Sequence, residues 1–268
     1  MVLISEENKR QFVQEGYFLL PQVIEETVLQ SLCDVCEYCI EEFNTSKRMD
    51  EPEERASHAG ELYTRVTAEG KQIQTSVLNI KNSRYFLEQR HDEHPNLAEF
   101  INSPLMAEIC LATVGSNAYF HFEEFVVKFP HGGASFSWHQ DGAYVPPHRL
   151  PYVSVWCALD AVNEENGTIY VLPYSRAGTK ELVEHDRNDG EMEKVGYEGN
   201  DPGIAVVLPA GSVAVFASNV LHRSGDNISH SKRRALLVQF SAEPILSDDG
   251  ITPWHSADPF LHEGEIIS

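Results

Sequence analysis

Residues 118–129, Ala-Tyr-Phe-His-Phe-Glu-Glu-Phe-Val-Val-Lys-Phe, mark the point at which the character of the chain changes. From here, short runs rich in β-branched and aromatic residues follow one another, separated by Gly, Pro and Asn. The runs span residues 118–129, 135–140, 152–159, 168–172, 204–208, 212–216 and 235–240. Many short strands without intervening helices predict a sandwich or jelly roll.

The residues before this stretch are helical in pattern. Apolar side chains between Ile24 and Phe43 recur at steps of three, four and one, which is typical of one amphipathic helix face. A shorter helix over Glu6 to Gln14 follows a capping Ser5, and another helical zone spans residues 96–114 with a break near Pro104. We therefore expect a mainly β single domain with its helices packed outside the sheets.

Three parts of that domain are expected: a helical N-terminal part over 1–114, a jelly-roll core over 115–245 and a C-terminal tail over 246–268. Two polar segments interrupt them. Residues 44–61 are charged and contain Pro52 and Gly60, and we expect a mobile loop there. Residues 173–203 form the longest irregular stretch, and a loop of this length is either disordered or functional, for example as a lid.

The charge balance excludes several classes of partner. The 268 residues include 20 Lys and Arg against 41 Asp and Glu, a net charge of −21, and Lys232-Arg233-Arg234 is a lone short basic run. Nucleic acid is therefore not an expected partner.

No apolar stretch approaches the length of a membrane span and no secretory signal opens the chain, so we expect no membrane association. An odd count of five cysteines favours a reducing compartment, the cytoplasm. The sequence leaves the oligomeric state open.

Three of the cysteines require a choice between two interpretations. Cys33, Cys36 and Cys39 have the spacing that opens a bacterial iron–sulfur motif, but its fourth position is occupied by Phe43. On a helix the three thiols spread over about a third of the circumference, which suits packing better than a single metal. We therefore predict that they are core residues.

The residues that carry chemistry follow the change in pattern. In Ser-Phe-Ser-Trp-His139-Gln-Asp141-Gly, an imidazole and a carboxylate two positions apart on a strand share one face. His222 ends another strand-like run far along the chain. Two His and one carboxylate fit the facial triad of non-haem Fe(II) oxygenases, whereas a structural zinc site prefers four ligands. A structural His–Asp pair with a capping or core His222 is the alternative.

Arg233 follows His222 just before a strand that could return past the metal. A planar, always-charged guanidinium suits bidentate recognition of a carboxylate. An exposed arginine in a basic run is the alternative interpretation.

Together these segments resemble the phytanoyl-CoA dioxygenase family of Fe(II)/2-oxoglutarate-dependent oxygenases. The matching segments are Gly16-Tyr-Phe-Leu-Leu-Pro, Val127-Lys-Phe-Pro, Trp138-His-Gln-Asp-Gly, Val155-Trp-Cys-Ala-Leu-Asp160, Glu165-Asn-Gly167, Pro209-Ala-Gly-Ser and His222-Arg-Ser-Gly-Asp-Asn with Arg233. They span most of the chain in one order. The family turn Pro-Gly-Ser-His is replaced here by Pro173-Tyr-Ser-Arg176, a difference that bears on the substrate.

The resemblance implies a double-stranded β-helix, or cupin-like jelly roll, with His139, Asp141 and His222 as iron ligands. It implies that Arg233 holds the distal carboxylate of the co-substrate 2-oxoglutarate, and that O2 is the oxidant. Gln140, Trp156 and Ser224 match further co-substrate contacts of the family, and Thr168, just after Asn166-Gly167, is an additional candidate hydroxyl donor. Because Asp141 supplies the carboxylate, the pattern favours an oxygenase over a halogenase.

The sequence thus predicts hydroxylation of a C–H bond of a small-molecule metabolite, with release of succinate and CO2. The strongly acidic chain is poorly suited to the phosphates of an acyl-CoA, and its acidic loops suit an amine-bearing substrate or a natural-product intermediate. Aromatic residues expected to line the pocket are Phe136, Tyr144, Tyr152, Trp254 and Phe260. The alternatives are a non-catalytic jelly-roll binding module, a metal-dependent hydrolase or isomerase, or an oxygenase that acts on an acyl-CoA. Oxidative demethylation or desaturation stays open in place of hydroxylation.

Overall fold

A computed structural model describes residues 3–50, 61–66, 72–77, 84–145, 151–187 and 193–267 of the protein. Within those ranges the helices are α1 (Glu6–Glu15), α2 (Glu26–Asp50), α3 (Pro95–Ile101), α4 (Pro104–Thr113) and α5 (Tyr174–Ala177), with a short 3-10 turn at Asp141–Tyr144. The strands are β1 (Tyr17–Leu20), β2 (Glu61–Val66), β3 (Gln72–Val77), β4 (Arg84–Glu88), β5 (Ala118–Lys128), β6 (Phe136–His139), β7 (Tyr152–Ala158), β8 (Ile169–Leu172), β9 (Asp186–Arg187), β10 (Lys194–Val195), β11 (Ile204–Ala205), β12 (Ser212–Ala217), β13 (Leu221–Ser224), β14 (Arg233–Ser241), β15 (Asp258–His262) and β16 (Glu265–Ile266).

Two antiparallel sheets form the body of the jelly roll. The major sheet has the strand order β1-β12-β7-β14-β5-β15-β16, and β4 also pairs with β5. The minor sheet has the order β11-β8-β13-β6. Since every pairing is antiparallel and none joins neighbours in sequence within the minor sheet, the chain crosses repeatedly between the sheets. The predicted mainly β, jelly-roll class is confirmed.

The alternation of side chains along β7 shows how the layers pack. Val155 and Cys157 lie in the core that the major sheet shares with the helices, whereas Trp156 and Ala158 lie in the core between the two sheets. This is the period of two that a strand imposes. Both faces of the major sheet are therefore buried, which explains why β7 is apolar almost throughout.

The helices cover the outer face of the major sheet, as the sequence predicts. The apolar stripe of α2 includes the fully buried Leu32, Cys36 and Cys39, and it packs into the same core as β7 and α4. All five cysteines are free and buried, so the three thiols of α2 are core residues. Full burial of a leucine-sized side chain contributes about 1.5–3 kcal/mol relative to exposure.

A glycine fixes the passage from α1 into the sheet. Ser5 begins α1 with a capping box, in which its Oγ accepts from the backbone N–H of Asn8 at 3.2 Å. Gly16 ends the helix with a φ of 81°, a left-handed conformation that favours glycine. A Cβ at this position would lie 2.4 Å from a methyl carbon of Val220. The chain then enters β1, which pairs with β12 at the edge of the major sheet.

Two features of the N-terminal part differ from the expectations. Residues 44–50 continue α2, so the loop expected from Asn44 is wrong for them, and residues 51–60 lie outside the described ranges. Residues 44–50 are polar, which suggested a loop, but Lys47, Arg48 and Met49 among them are good helix formers. The first 114 residues also contribute strands, because β1 and β4 both join the major sheet.

None of the described helices is long and apolar enough to cross a membrane.

Candidate metal centre and active site

Strand pairing brings the two candidate histidine ligands together. β13 pairs with β6 so that His222 lies directly opposite His139, and the centroids of the two rings are 4.1 Å apart. The sequence predicts Asp141 on the same strand as His139, and the structure corrects this point. His139 is the last residue of β6 and Asp141 begins the 3-10 turn, which still directs its carboxylate toward both histidines.

The three side chains form one metal-sized cluster. Oδ1 of Asp141 lies 3.3 Å from Nε2 of His222 and 3.6 Å from Nε2 of His139. One donor atom from each residue falls within 4.8 Å of the others, and in the described part of the chain no other group of three His, Cys, Asp or Glu does so. Two imidazoles and one carboxylate fit Fe(II) with open coordination positions.

Hydrogen bonds to neighbouring groups fix the orientation of each ligand. Nδ1 of His139 donates to the carbonyl of Ser137 at 2.8 Å, and Nδ1 of His222 donates to that of Val220 at 3.1 Å. These bonds leave the Nε2 lone pairs for a metal ion. Oδ2 of Asp141 accepts from Oγ of Ser154 at 2.5 Å and from Nε2 of Gln239 at 3.1 Å. The second carboxylate oxygen is therefore held away from the histidines.

The charges of the cluster suit a metal cation. Burial alone would raise the pKa of Asp141, but His222 and His139 lower it to about 2. Burial and the neighbouring His222 lower the pKa of His139 to about 3. Asp141 is therefore ionised and His139 neutral over the physiological range, which are the protonation states that bind a divalent ion.

A cavity of about 260 Å³ adjoins the cluster, and all three candidate ligands line it. Of the aromatic residues expected there, Phe136, Tyr144 and Tyr152 line the cavity. Phe260 instead packs against Phe240 in the core, with ring centroids 5.1 Å apart, and Trp254 is 41% exposed.

Two buried cations, Lys128 on β5 and Arg233 on β14, lie directly opposite each other, and Lys128 lines this cavity. Lys128 is 1% exposed, and its Nζ donates to Oγ of Ser224 at 2.8 Å and to the carbonyl of Gly225. Arg233 is equally buried, donates to the carbonyls of Val126 at 3.2 Å and Gly167 at 3.1 Å, and keeps an Nε without a partner.

Neither cation has an acidic partner in the described part of the chain. Burial lowers the pKa of Lys128 well below its ordinary value, and the charge of Arg233 adds to this effect. Burial lowers the pKa of Arg233 to about 10. Two repelling, desolvated cations would both be stabilised by a bound carboxylate.

Comparison with known proteins places this site in a family. The model of the phytanoyl-CoA dioxygenase family matches residues 12–235, which is most of the chain and includes the three candidate ligands, Lys128 and Arg233. The chain belongs to the phytanoyl-CoA dioxygenase family.

Curated relatives and solved structures agree with this assignment. A "probable alpha-ketoglutarate-dependent hypophosphite dioxygenase" of Stutzerimonas stutzeri is 26% identical over 69% of this chain and 72% of that protein. L-proline trans-4-hydroxylase of Streptomyces griseoviridis is 26% identical over 56% of this chain and 65% of that protein. The structure of EvdO2 from Micromonospora carbonacea var. aurantiaca, complexed with 2-oxoglutarate, matches with a TM-score of 0.61 at 22% identity, over 94% of this chain and 98% of that one. This phytanoyl-CoA dioxygenase family member is an Fe(II)- and 2-oxoglutarate-dependent dioxygenase that uses O2.

The four further co-substrate candidates divide into two pairs. Trp156 and Ser224 line the cavity, and the guanidinium of Arg233 lies 5.7 Å from the Trp156 ring. Gln140 and Thr168 do not line it. The Gln140 side chain donates to the carbonyls of Glu181 and Asn219 and accepts from the N–H of Val183, while Oγ1 of Thr168 donates to the carbonyl of Val206 at 2.5 Å.

The hydrogen bonds of Gln140 also hold the segment that the sequence analysis considers as a lid. Residues 173–203 contain α5, β9 and β10, and Gln140 fixes their middle against the end of β6. The backbone N–H of Gly196 bonds to the carbonyl of Trp138 at 2.8 Å. A lid role for this segment stays a prediction.

Sequence reasoning missed several residues of the site. The sequence could have indicated Lys128, because a lysine at the end of an apolar strand is costly to bury without a partner. Nothing in the sequence indicates Ser154 or Gln239, because both are ordinary strand residues outside the His139-Gln-Asp141 motif. Arg84 on β4 also lines the cavity, and its Nη2 bonds to Oε1 of Glu193 at 2.9 Å.

Proposed function

We propose that this dioxygenase hydroxylates a C–H bond of a small-molecule metabolite, with His139, Asp141 and His222 as the Fe(II) ligands. The observation that carries the proposal is the convergence of two Nε2 atoms and one carboxylate oxygen on the wall of the cavity. Bound Fe(II), 2-oxoglutarate and O2 supply the oxidation, in which one oxygen atom enters the substrate as a hydroxyl and the other enters succinate as CO2 leaves.

The protein's own residues orient the reactants. Ser154 and Gln239 hold the Asp141 carboxylate in one orientation, and the carbonyls of Ser137 and Val220 hold the two imidazoles. Ligands fixed in this way need no rearrangement when the metal binds. The three ligand side chains are largely buried, which strengthens the charge interactions between them and a bound cation.

We further propose that Arg233, Lys128, Ser224 and Trp156 hold 2-oxoglutarate. The two buried cations would neutralise the distal carboxylate of the co-substrate, and Ser224 lies within hydrogen-bond distance of Lys128. Gln140 and Thr168 are left out of this set because their polar side-chain atoms bond to loop and strand backbone.

We also propose a small substrate acted on in the cytoplasm. The relatives named above include a hydroxylase of L-proline, which is a free small metabolite. A net charge of −21 opposes binding of the phosphates of a coenzyme A thioester. Five free, buried thiols favour a reducing compartment.

Succinate release tests this function directly. Enzyme loaded with Fe(II) and 2-oxoglutarate without oxygen should show an absorbance change that needs both additions, and succinate should form once air is admitted. Asp141→Ala should lose both signals, and Arg233→Ala should lose 2-oxoglutarate binding. Asp34→Ala on the exposed face of α2 is the control and should keep both. If the wild type shows neither signal, the proposal is wrong.

A further inference from the structure

The short basic run of the sequence, Lys232-Arg233-Arg234, divides between two faces at the start of β14. Arg233 is 1% exposed, and its guanidinium lies near the ring of Trp156, in the core between the sheets. Lys232 and Arg234 both bond instead to Glu37 of α2, one of the helices that cover the outer face of the major sheet. Successive side chains of a strand alternate in this way. The arginine proposed to hold the co-substrate is therefore flanked by two ion-paired neighbours.

Asp160, which follows the end of β7, binds Arg234 through both carboxylate oxygens. Its Oδ2 accepts from the backbone N–H of Arg234 at 2.7 Å and from Nε at 3.0 Å, and its Oδ1 accepts from Nη2 at 2.6 Å. The carbonyl of Arg234 accepts in turn from the backbone N–H groups of Leu159 and Asp160, at 3.2 and 3.4 Å. Bidentate bonds between a guanidinium and a carboxylate are among the stronger polar contacts in proteins. Two adjacent residues thus hold both backbone polar groups and the side chain of Arg234.

Glu37 supplies a second anchor from the helical layer. Its Oε1 accepts from Nη1 of Arg234 at 2.9 Å, and its Oε2 accepts from Nζ of Lys232. Together with Asp160 it gives each of the three guanidinium nitrogens of Arg234 an acceptor. The side chains of Arg234 and Asp160 are 18% and 25% exposed, so solvent and salt screen this network less than a fully exposed ion pair. The chain is therefore held on both sides of Arg233.

These bonds fix the backbone that carries the Arg233 side chain. Arg233 is the first residue of β14, and the ends of strands open more readily than their centres. The N–H of Arg234 belongs to the same planar peptide unit as the carbonyl of Arg233. The bond from this N–H to Asp160 therefore fixes the peptide that follows Arg233, and with it the direction of the Arg233 side chain.

The contacts of the Arg233 side chain do not provide a comparable anchor. Its guanidinium donates to the carbonyls of Val126 and Gly167 at 3.2 and 3.1 Å. In the register between β14 and β5 it lies opposite Lys128, and the two charges repel each other. Burial lowers the pKa of Arg233 to about 10, and the carboxylate of Asp160 opposes this shift. Asp160 thus acts on Arg233 through the backbone and also through its charge.

We propose that Asp160 is a positioning residue for 2-oxoglutarate, which holds Arg233 in place through Arg234, with Glu37 as the second anchor on α2. This inference rests on the proposed function, in which Arg233 binds the distal carboxylate of the co-substrate. A purely structural role of the network would stabilise the fold without changing how the site distinguishes a distal carboxylate from a methyl group. A positioning role changes that distinction.

The test compares 2-oxoglutarate with 2-oxopentanoate, in which a methyl group replaces the distal carboxylate. Calorimetry measures both dissociation constants on the full chain loaded with Fe(II) without oxygen. The wild type should prefer 2-oxoglutarate by about 100-fold. In Asp160→Ala this preference should fall about tenfold, because 2-oxoglutarate binds more weakly and 2-oxopentanoate does not. In Asp160→Asn and in Glu37→Gln it should fall about threefold, because an amide oxygen still accepts from one of the donors.

Asp201→Ala is the matched control. Asp201 binds Arg176 through both carboxylate oxygens and accepts from the backbone N–H of Gly203 at 2.9 Å. Its removal therefore breaks the same kinds of bond at a position that does not flank Arg233. Asp201→Ala should keep the full preference for 2-oxoglutarate, and the thermal midpoint of each variant compares the losses of stability.

Two outcomes overturn the inference. One is a wild-type preference in Asp160→Ala, and the other is an equal rise of both dissociation constants, which a purely structural role would produce. If Asp160→Ala does not fold, an unchanged preference in both Asp160→Asn and Glu37→Gln overturns the inference instead. A wild type that prefers 2-oxoglutarate beside variants that keep this preference means that this inference alone fails. If the wild type binds no 2-oxoglutarate in the presence of Fe(II), the proposed function fails and this inference with it.

Discussion

Oγ of Ser154 donates a 2.5 Å hydrogen bond to Oδ2 of Asp141, and it thereby connects the centre of the major sheet to the candidate metal ligand. Ser154 is fully buried on β7, one residue before the core Val155. The rigidity of the sheet is thus passed to a carboxylate that lies in a short 3-10 turn. Asp141, the one candidate ligand outside a strand, accepts hydrogen bonds from two side chains, whereas each histidine is held by one backbone carbonyl.

This relationship predicts the effect of removing the hydroxyl. Ser154→Ala leaves Asp141 free to rotate, and we expect Fe(II) affinity to fall about 10- to 100-fold. Anaerobic titration of the apoprotein with Fe(II) measures the change. Ser175→Ala, at an exposed position of α5, should bind as the wild type does. Unchanged affinity in Ser154→Ala would show that Gln239 alone orients the carboxylate.

A second prediction concerns Lys128. Lys128→Met removes one of the two buried cations proposed to hold 2-oxoglutarate, and we expect the dissociation constant of 2-oxoglutarate to rise about tenfold or more. The fold should not suffer, because a buried charge without an acidic partner is replaced by an apolar chain of similar length. The readouts are calorimetry with 2-oxoglutarate and the thermal midpoint. Lys9→Met on α1 is the control, and wild-type affinity in Lys128→Met would exclude Lys128 from the co-substrate site.

The cluster of His139, Asp141 and His222 could be predicted because these residues match the motifs of the family. His139 and Asp141 lie two residues apart, but His222 is far along the chain, so the spacing alone left a structural His–Asp pair open. Gln140 shows the limit of the same reasoning. A residue between two that share a face points away from that face, and the structure indeed directs Gln140 into residues 181–183.

The cavity wall could not be predicted, because it depends on register. Arg84-Tyr-Phe-Leu-Glu88 is a short run beside a polar segment, and nothing in it specifies β5 as its partner. β4 pairs with a strand about 40 residues further along the chain, and the register of this pairing decides which side chains lie beside Lys128 and Glu124. A shift by one residue would move every one of them to the other face. β1 was missed for a similar reason, since its partner β12 lies far along the chain.

A buried histidine predicts a loss of stability in acid. His121 is 1% exposed, and burial lowers its pKa to about 3, against an ordinary value near 6.5. Since the unfolded chain takes up this proton first, stability falls as the pH decreases from about 6.5 toward 4. His121→Gln removes the group. Its free energy of unfolding should therefore decline less than that of the wild type, by on the order of 1–2 kcal/mol at pH 5.

Denaturant unfolding of the metal-free protein at pH 7 and pH 5 measures this difference. The comparison between wild type and variant cancels the contribution of the carboxylates, which titrate in both. The exposed His262→Gln serves as the control and should follow the wild type at both pH values. Equal declines in wild type and His121→Gln would mean that His121 is protonated in the folded protein.

Gly16 and Gly250 provide a matched pair for the last prediction. Both have a positive φ, 81° and 70°, so alanine at either position incurs the left-handed conformational cost of about 1 kcal/mol. At Gly250 an added Cβ meets no atom within 4 Å, whereas at Gly16 it would lie 2.4 Å from Val220 and 2.5 Å from the ring of Tyr174. Gly16→Ala should therefore lower the free energy of unfolding by about 2–4 kcal/mol, and Gly250→Ala by about 1 kcal/mol. Urea titration of both variants measures the two costs. Similar losses would show that α1 and β1 shift freely against Val220 and Tyr174, so that the junction at Gly16 does not fix the edge of the major sheet.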